Sequence, residues 1–166
     1  VIRRDGLCGH ITVCARSQET LDKVVELDLA DTVTKDPAVA VADADLVMIC
    51  TPMGAYGAIA EAISGSLKDG AIVSDVGSVK KAAIDSLAPK LPGTIHLVPG
   101  HPVAGTEHSG PESGFPELFI DRWCILTPAT GTDEAATDKV AALWRKAGMM
   151  IEVMDAEHHD QVLGIT

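Results

Sequence analysis

The chain has 166 residues and 46% hydrophobic side chains, enough for one domain with a real core, and with aromatics at 3% that core must be Val, Ile, Leu, Ala and Met. A formal charge of −11 argues against nucleic acid or an anionic membrane as partner, because both need clustered Lys and Arg. Arg3-Arg4 and Lys80-Lys81 make no basic stripe, and no apolar run approaches the ~20 residues of a membrane span.

In chain order, residues 1–5 read as the tail of a helix and 11–15 (ITVCA) as a β-branched strand, followed by a helical pattern over 19–27. The run LVMIC at 46–50 is continuously apolar, as in a strand covered on both faces, and Thr51-Pro52 stops it. Helix over 55–63, strand over 71–74, helix over 79–87 and strand over 95–98 follow. The stretch PGHPVAGTEHSG at 99–110 is too broken by proline and glycine for a buried strand or a stable helix. Residues 123–127 read as strand and 133–147 as helix, with Thr132 as its N-cap and Gly148 as its stop. A last strand spans 149–153, and a helix starts at Ala156.

This alternation predicts an α/β fold, a Rossmann-like doubly wound and mostly parallel sheet. The glycine-rich loop expected after its first strand is absent, since Gly6 and Gly9 precede a strand rather than follow one. The first strand and that loop are therefore expected upstream of Val1. Cys8, Cys14, Cys50 and Cys124 show neither CxxC spacing nor a dense framework. With no signal-peptide pattern at Val1, they predict reduced, structural thiols in a cytoplasmic protein.

Ligands of such sheets bind at the carboxyl ends of strands, which directs attention to the turns after Ala15, Cys50, Ser74, Val98 and Thr127. Arg16 and Ser17 follow the strand whose tip normally selects the cofactor: Arg16 can stack on adenine or pair with a 2′-phosphate, or be a solvated side chain beside a capping serine. Thr51, Pro52 and Met53 are cofactor contacts or a plain strand stop. In DVGSVK at 75–80, Gly77 permits a tight turn and Ser78 sits at the mouth of the next helix. A cap is the commonest role for such a serine, although its hydroxyl can still meet a ligand, and Asp75 can anchor the turn. His101 is restricted by Pro99 and Pro102 at a strand's carboxyl end, a good setting for an acid/base or substrate-binding imidazole. His96, His108 and His158 read as structural. A metal shared by His101 and His158-His159-Asp160 is disfavoured by spacing, because adjacent histidines on a helix point ~100° apart.

DVGSVK at 75–80, GHPVAGTEHSG at 100–110, HDQVLGIT from His159 and TPM at 51–53 together resemble the prephenate/arogenate dehydrogenase family, over essentially the whole chain. The resemblance implies oxidative decarboxylation of prephenate or arogenate in tyrosine biosynthesis, with hydride passing to NAD or NADP. By that likeness His101 and Ser78 are catalytic and bind the ring hydroxyl, Thr106 and Glu107 lie beside the substrate, and Ser78 also meets the cofactor. It implies an NAD(P)-binding domain over 1–155, then the start, at 156–166, of a helix entering an all-helical dimerisation domain that makes the enzyme a homodimer. A β-hydroxyacid-type dehydrogenase and a non-catalytic nucleotide-sensing module are the alternatives.

Overall fold

A computed structural model describes residues 1–105 and 110–164. Strands β1 (Thr12–Cys14) and β2 (Thr32–Thr34) pair in parallel around helix α1 (Gln18–Glu26). Leu21 and Val24, three residues apart, put the buried face of α1 on one side. The short helix α2 (Pro37–Val41) then leads to the central ladder. β2 and α2 were not anticipated: three and five residues are too few to display a period. The local signal was present nonetheless, since Asp36 caps α2 by accepting from the Ala38 N–H and Pro37 takes the first turn.

The central ladder runs β3 (Leu46–Ile49), β4 (Ile72–Asp75), β5 (His96–Leu97), all parallel. A single turn of 3-10 helix (Met53–Ala55) precedes α3 (Tyr56–Ile63), and α4 (Lys80–Leu87) follows β4. Tyr56, Ala60, Val73, Ala83, Leu87 and Leu97 form one buried cluster between these helices and the sheet. The third ladder is β6 (Gly100–Pro102), β7 (Trp123–Leu126), β8 (Met150–Val153), in which β6–β7 is antiparallel and β7–β8 parallel. Helix α5 (Glu134–Lys146) covers it, burying Val140 and Trp144 against Cys124 and Leu126, and α6 (Ala156–Leu163) packs on α4. The architecture is α/β with a mostly parallel sheet, as the strand–helix alternation predicts.

Residues 96–102 are one extended run serving two ladders. The Val98 N–H donates to the Val73 carbonyl at 2.9 Å, and the Thr127 N–H donates to the Pro99 carbonyl at 2.8 Å. The reading of 99–110 as too broken for a buried strand is thus wrong at its start, because Gly100 and Pro102 are buried in β6. Gly100 is there for space: a Cβ would stand 3.2 Å from both the Asp75 carbonyl oxygen and Leu126. The proline at 102 is tolerated because β6 bonds to one neighbour at an edge. The antiparallel turn of the chain also moves the loop after Thr127. The Ala129 N–H donates to the Leu97 carbonyl, so that loop lies beside the start of the 96–102 run, away from the rim reached by His101.

Two smaller expectations also change. Asp133, not Thr132, caps α5, and the Thr132 hydroxyl donates instead to the Leu97 carbonyl. All four cysteines are free, yet only Cys124 is buried, its thiol pushed up to about 12 mainly by burial; Cys8, Cys14 and Cys50 are surface groups. Among the described residues, no helix is long and apolar enough to cross a membrane.

Candidate functional site

The turn after β4 is built around a buried ion pair. Asp75 and Lys80 are both fully inaccessible, with the ammonium 2.6 Å from Asp75 Oδ2 and 2.8 Å from Oδ1. Lys80 Nζ also donates to the Gly100 carbonyl at 2.7 Å, and the Gly100 N–H donates to Asp75 Oδ1 at 3.2 Å. The Tyr56 hydroxyl and the Gly77 N–H complete the carboxylate's shell at 2.9 and 2.8 Å. Burial pulls the Lys80 ammonium below its ordinary range, and the facing carboxylate opposes that pull. Lys80 and Asp75 hold the 75–80 turn to the Gly100 backbone of the strand that carries His101, and Tyr56 and Gly77 fix the carboxylate that does so. Asp75 is an anchor, as its position at the strand end allowed. Gly77 is required by proximity, since a Cβ would meet Asp75 Oδ2 and the Tyr56 hydroxyl at 2.9 Å.

His101 sits in the middle of β6, so its side chain points opposite to those of its neighbours. Pro102, with Met48, Cys50, Val76, Ala104 and Trp144, lines an apolar cleft of about 360 Å³. His101 instead meets α6: its Nδ1 lies 3.0 Å from Nε2 of His159, and the rings meet edge to face at 5.2 Å. His159 is completely buried, and its Nδ1 is 2.7 Å from Asp160 Oδ1. Asp160 in turn accepts from the Lys80 N–H at 2.8 Å and the Lys81 N–H at 2.9 Å, the first amides of α4. Desolvation raises the Asp160 carboxyl, but those two amides and His159 outweigh it and hold the group below its ordinary value. The His101 imidazole is pushed down to about 4, chiefly by burial and then by His159 and Lys80, against Asp75 and Asp160. At neutral pH it is an uncharged ring.

The expected site residues divide accordingly. Ser78 is exposed and is not the cap of α4: Val79 occupies that position without a side-chain bond, and the first amides go to Asp160. Its hydroxyl therefore stays free of the described residues, on the turn that Lys80 ties to Gly100. Arg16 and Ser17 are exposed at the carboxyl end of β1, where Ser17 caps α1 by accepting from the Thr20 N–H at 3.1 Å. Thr51 and Pro52 are exposed and Met53 half-buried beyond β3. Thr106 and Glu107 lie outside the described residues. Sequence reasoning missed Tyr56 and Lys80, and it considered His159 and Asp160 only as metal ligands. The HD pair was visible in the motif, but nothing in one sequence says that α6 returns to the end of β6.

The chain is similar to known proteins over nearly its whole length. The family model described as prephenate dehydrogenase, nucleotide-binding domain, matches residues 1–153. A cyclohexadienyl dehydrogenase of Zymomonas mobilis is 44% identical over 96% of this chain and 55% of its own length. The crystal structure of prephenate dehydrogenase from Aquifex aeolicus superposes with a TM-score of 0.90 at 36% identity, covering 99% of this chain and 59% of that one. The same enzyme in complex with hydroxyphenyl propionate and NAD+ gives 0.89 at 35% identity, covering 98% and 57%. Synechocystis arogenate dehydrogenase gives 0.89 at 29% identity, covering 98% and 56%. The chain thus spans little more than half the length of these relatives. It belongs to the prephenate dehydrogenase family, as a nucleotide-binding domain.

Proposed function

We propose that this chain is the NAD(P)-binding domain of a dehydrogenase of tyrosine biosynthesis that oxidises prephenate or arogenate with loss of carbon dioxide. The observation that carries the reading is His101, an uncharged imidazole with Nδ1 engaged and Nε2 left for a ligand, on a strand tied through Lys80 to the turn of Ser78. Arg16, Ser17, Thr51, Pro52 and Ser78 are exposed at the carboxyl ends of β1, β3 and β4, a cation and hydroxyls that fit a dinucleotide. When bound there, NAD or NADP supplies the hydride acceptor.

The residues of the chain do the rest. Nε2 of His101 accepts the proton of the ring hydroxyl as its carbon is oxidised, so that positive charge does not build on that oxygen. The Ser78 hydroxyl orients the same oxygen, and its lack of a partner within the described chain leaves it free to do so. Met53 completes the cofactor rim, and Thr106 and Glu107 flank the acid. Rearomatisation with carbon dioxide release drives the step forward, so orientation and a proton path are the protein's main contributions. Assembly as a homodimer through a helical unit beyond Ala156 and a cytoplasmic location belong to the same reading. The test is to assay the polypeptide the gene encodes with each acid and each cofactor. Reduced nicotinamide forming together with an aromatic product is expected, and failure with both acids under both cofactors refutes the proposal.

A further inference from the structure

Behind His101 stand His159 and Asp160, linked to it and to each other by hydrogen bonds. We propose that Asp160 and His159 are positioning residues that fix the tautomer of His101 and receive the proton it collects, an inference that rests on the dehydrogenase reading above. The logic runs outward from the carboxylate. An ionised Asp160 has no hydrogen to give, so His159 Nδ1 donates to it across 2.7 Å. In the uncharged ring, His159 Nε2 is then a lone pair, and the 3.0 Å contact requires His101 Nδ1 to carry the hydrogen. His101 Nε2 is left as an acceptor with no partner among the described residues.

The same wiring answers a difficulty. An imidazole pushed down to about 4 is a poor resting place for a proton. When His101 Nε2 takes the hydroxyl proton, its Nδ1 proton can pass to His159 Nε2, and the charge ends as an imidazolium beside the Asp160 carboxylate. One O–H and one N–H bond break and two N–H bonds form, with no redox partner beyond the hydride acceptor. Asp160 is also tied to the start of α4 through the Lys80 and Lys81 amides, so one carboxylate sets both the imidazole and the helix that follows the Ser78 turn. His159 is fully buried with both ring nitrogens engaged, which keeps water out of the relay. The ionisable groups facing His101 are His159 and Asp160 of α6, Lys80 of α4 and Asp75 of β4.

The test uses the polypeptide the gene encodes, labelled at histidine, together with two variants. Long-range proton–nitrogen correlation spectra of the parent at neutral pH should show His101 and His159 each protonated at Nδ1; His101 protonated at Nε2 overturns the inference. His159→Phe keeps a planar ring and removes the relay, and should lower kcat about 100-fold with KM for acid and cofactor changed less than about twofold. His159→Gln, whose carbonyl can accept from His101 and whose amide can donate to Asp160, should recover at least about tenfold of that loss. His159→Phe within about threefold of the parent, or a Gln variant no better than Phe, overturns it. If His159→Phe does not fold, the spectra decide. Failure of the dehydrogenase reading looks different: the parent reduces no cofactor with either acid, whatever tautomer the spectra report.

Discussion

Replacing Lys80 by Met removes the ammonium at the centre of the 75–80 turn while preserving most of the side chain's length. Asp75 then keeps only the Tyr56 hydroxyl and the Gly77 and Gly100 amides, and the Gly100 carbonyl loses its donor. Removing one partner of a buried pair costs about 3–5 kcal/mol, and three surviving donors put this case at the lower end, about 3 kcal/mol. For a domain of this size that is a fall in Tm of about 6–12 °C. Asp75→Asn should be worse, because an amide nitrogen must face one of the donors that the carboxylate now accepts from and the ammonium stays buried. The double variant Asp75→Leu with Lys80→Met leaves no buried charge and should be more stable than Asp75→Asn alone. Thermal and urea unfolding of all three proteins supply the numbers. A Lys80→Met protein melting within about 2 °C of the parent would refute the claim that this pair pins the turn to β6.

Three further outcomes follow from the same geometry. Gly77→Ala forces a methyl to 2.9 Å from two atoms that are themselves fixed, Asp75 Oδ2 and the Tyr56 hydroxyl, and should cost about 1–3 kcal/mol in a denaturant titration. The His101 imidazole titrates at about 4 in the fold against 6.5 when free, so the unfolded chain binds the extra proton between those values. Stability should therefore rise with pH across that window, by up to about 3 kcal/mol, and His101→Asn should flatten the profile when melting is followed from acid to neutral pH. If Arg16 pairs with a 2′-phosphate, Arg16→Ala should weaken NADP about tenfold or more and NAD much less, as read by fluorescence titration of each reduced cofactor.

Much of this molecule was legible before any coordinates. The apolar run at 46–50, the DVGS turn and the Gly148 stop each follow from local chemistry, and each sits in the fold where that chemistry puts it. What escaped was non-local. Ser78 occupies a sequence position where serine usually caps, but the cap of α4 comes from Asp160, eighty residues on. The stretch after Pro99 is locally a poor strand, yet β7 supplies the hydrogen bonds that make it one, in a direction that no periodicity reveals. Lys80 stood out only as half of an adjacent lysine pair, and its enclosure by Asp75 and the Gly100 carbonyl is a tertiary contact that the sequence does not display. His159 was weighed as a metal ligand because its neighbours in sequence suggested one. Its actual partners are His101 on a strand fifty-eight residues earlier and the adjacent carboxylate.

The most direct test is His101→Asn in the polypeptide the gene encodes, measured as reduction of NAD and of NADP with prephenate and with arogenate. Loss of about 100-fold or more in kcat, with cofactor affinity and melting temperature close to the parent's, is the result expected of a proton acceptor. Turnover within a few-fold of the parent would contradict the role given to that imidazole and, with it, the account of the site.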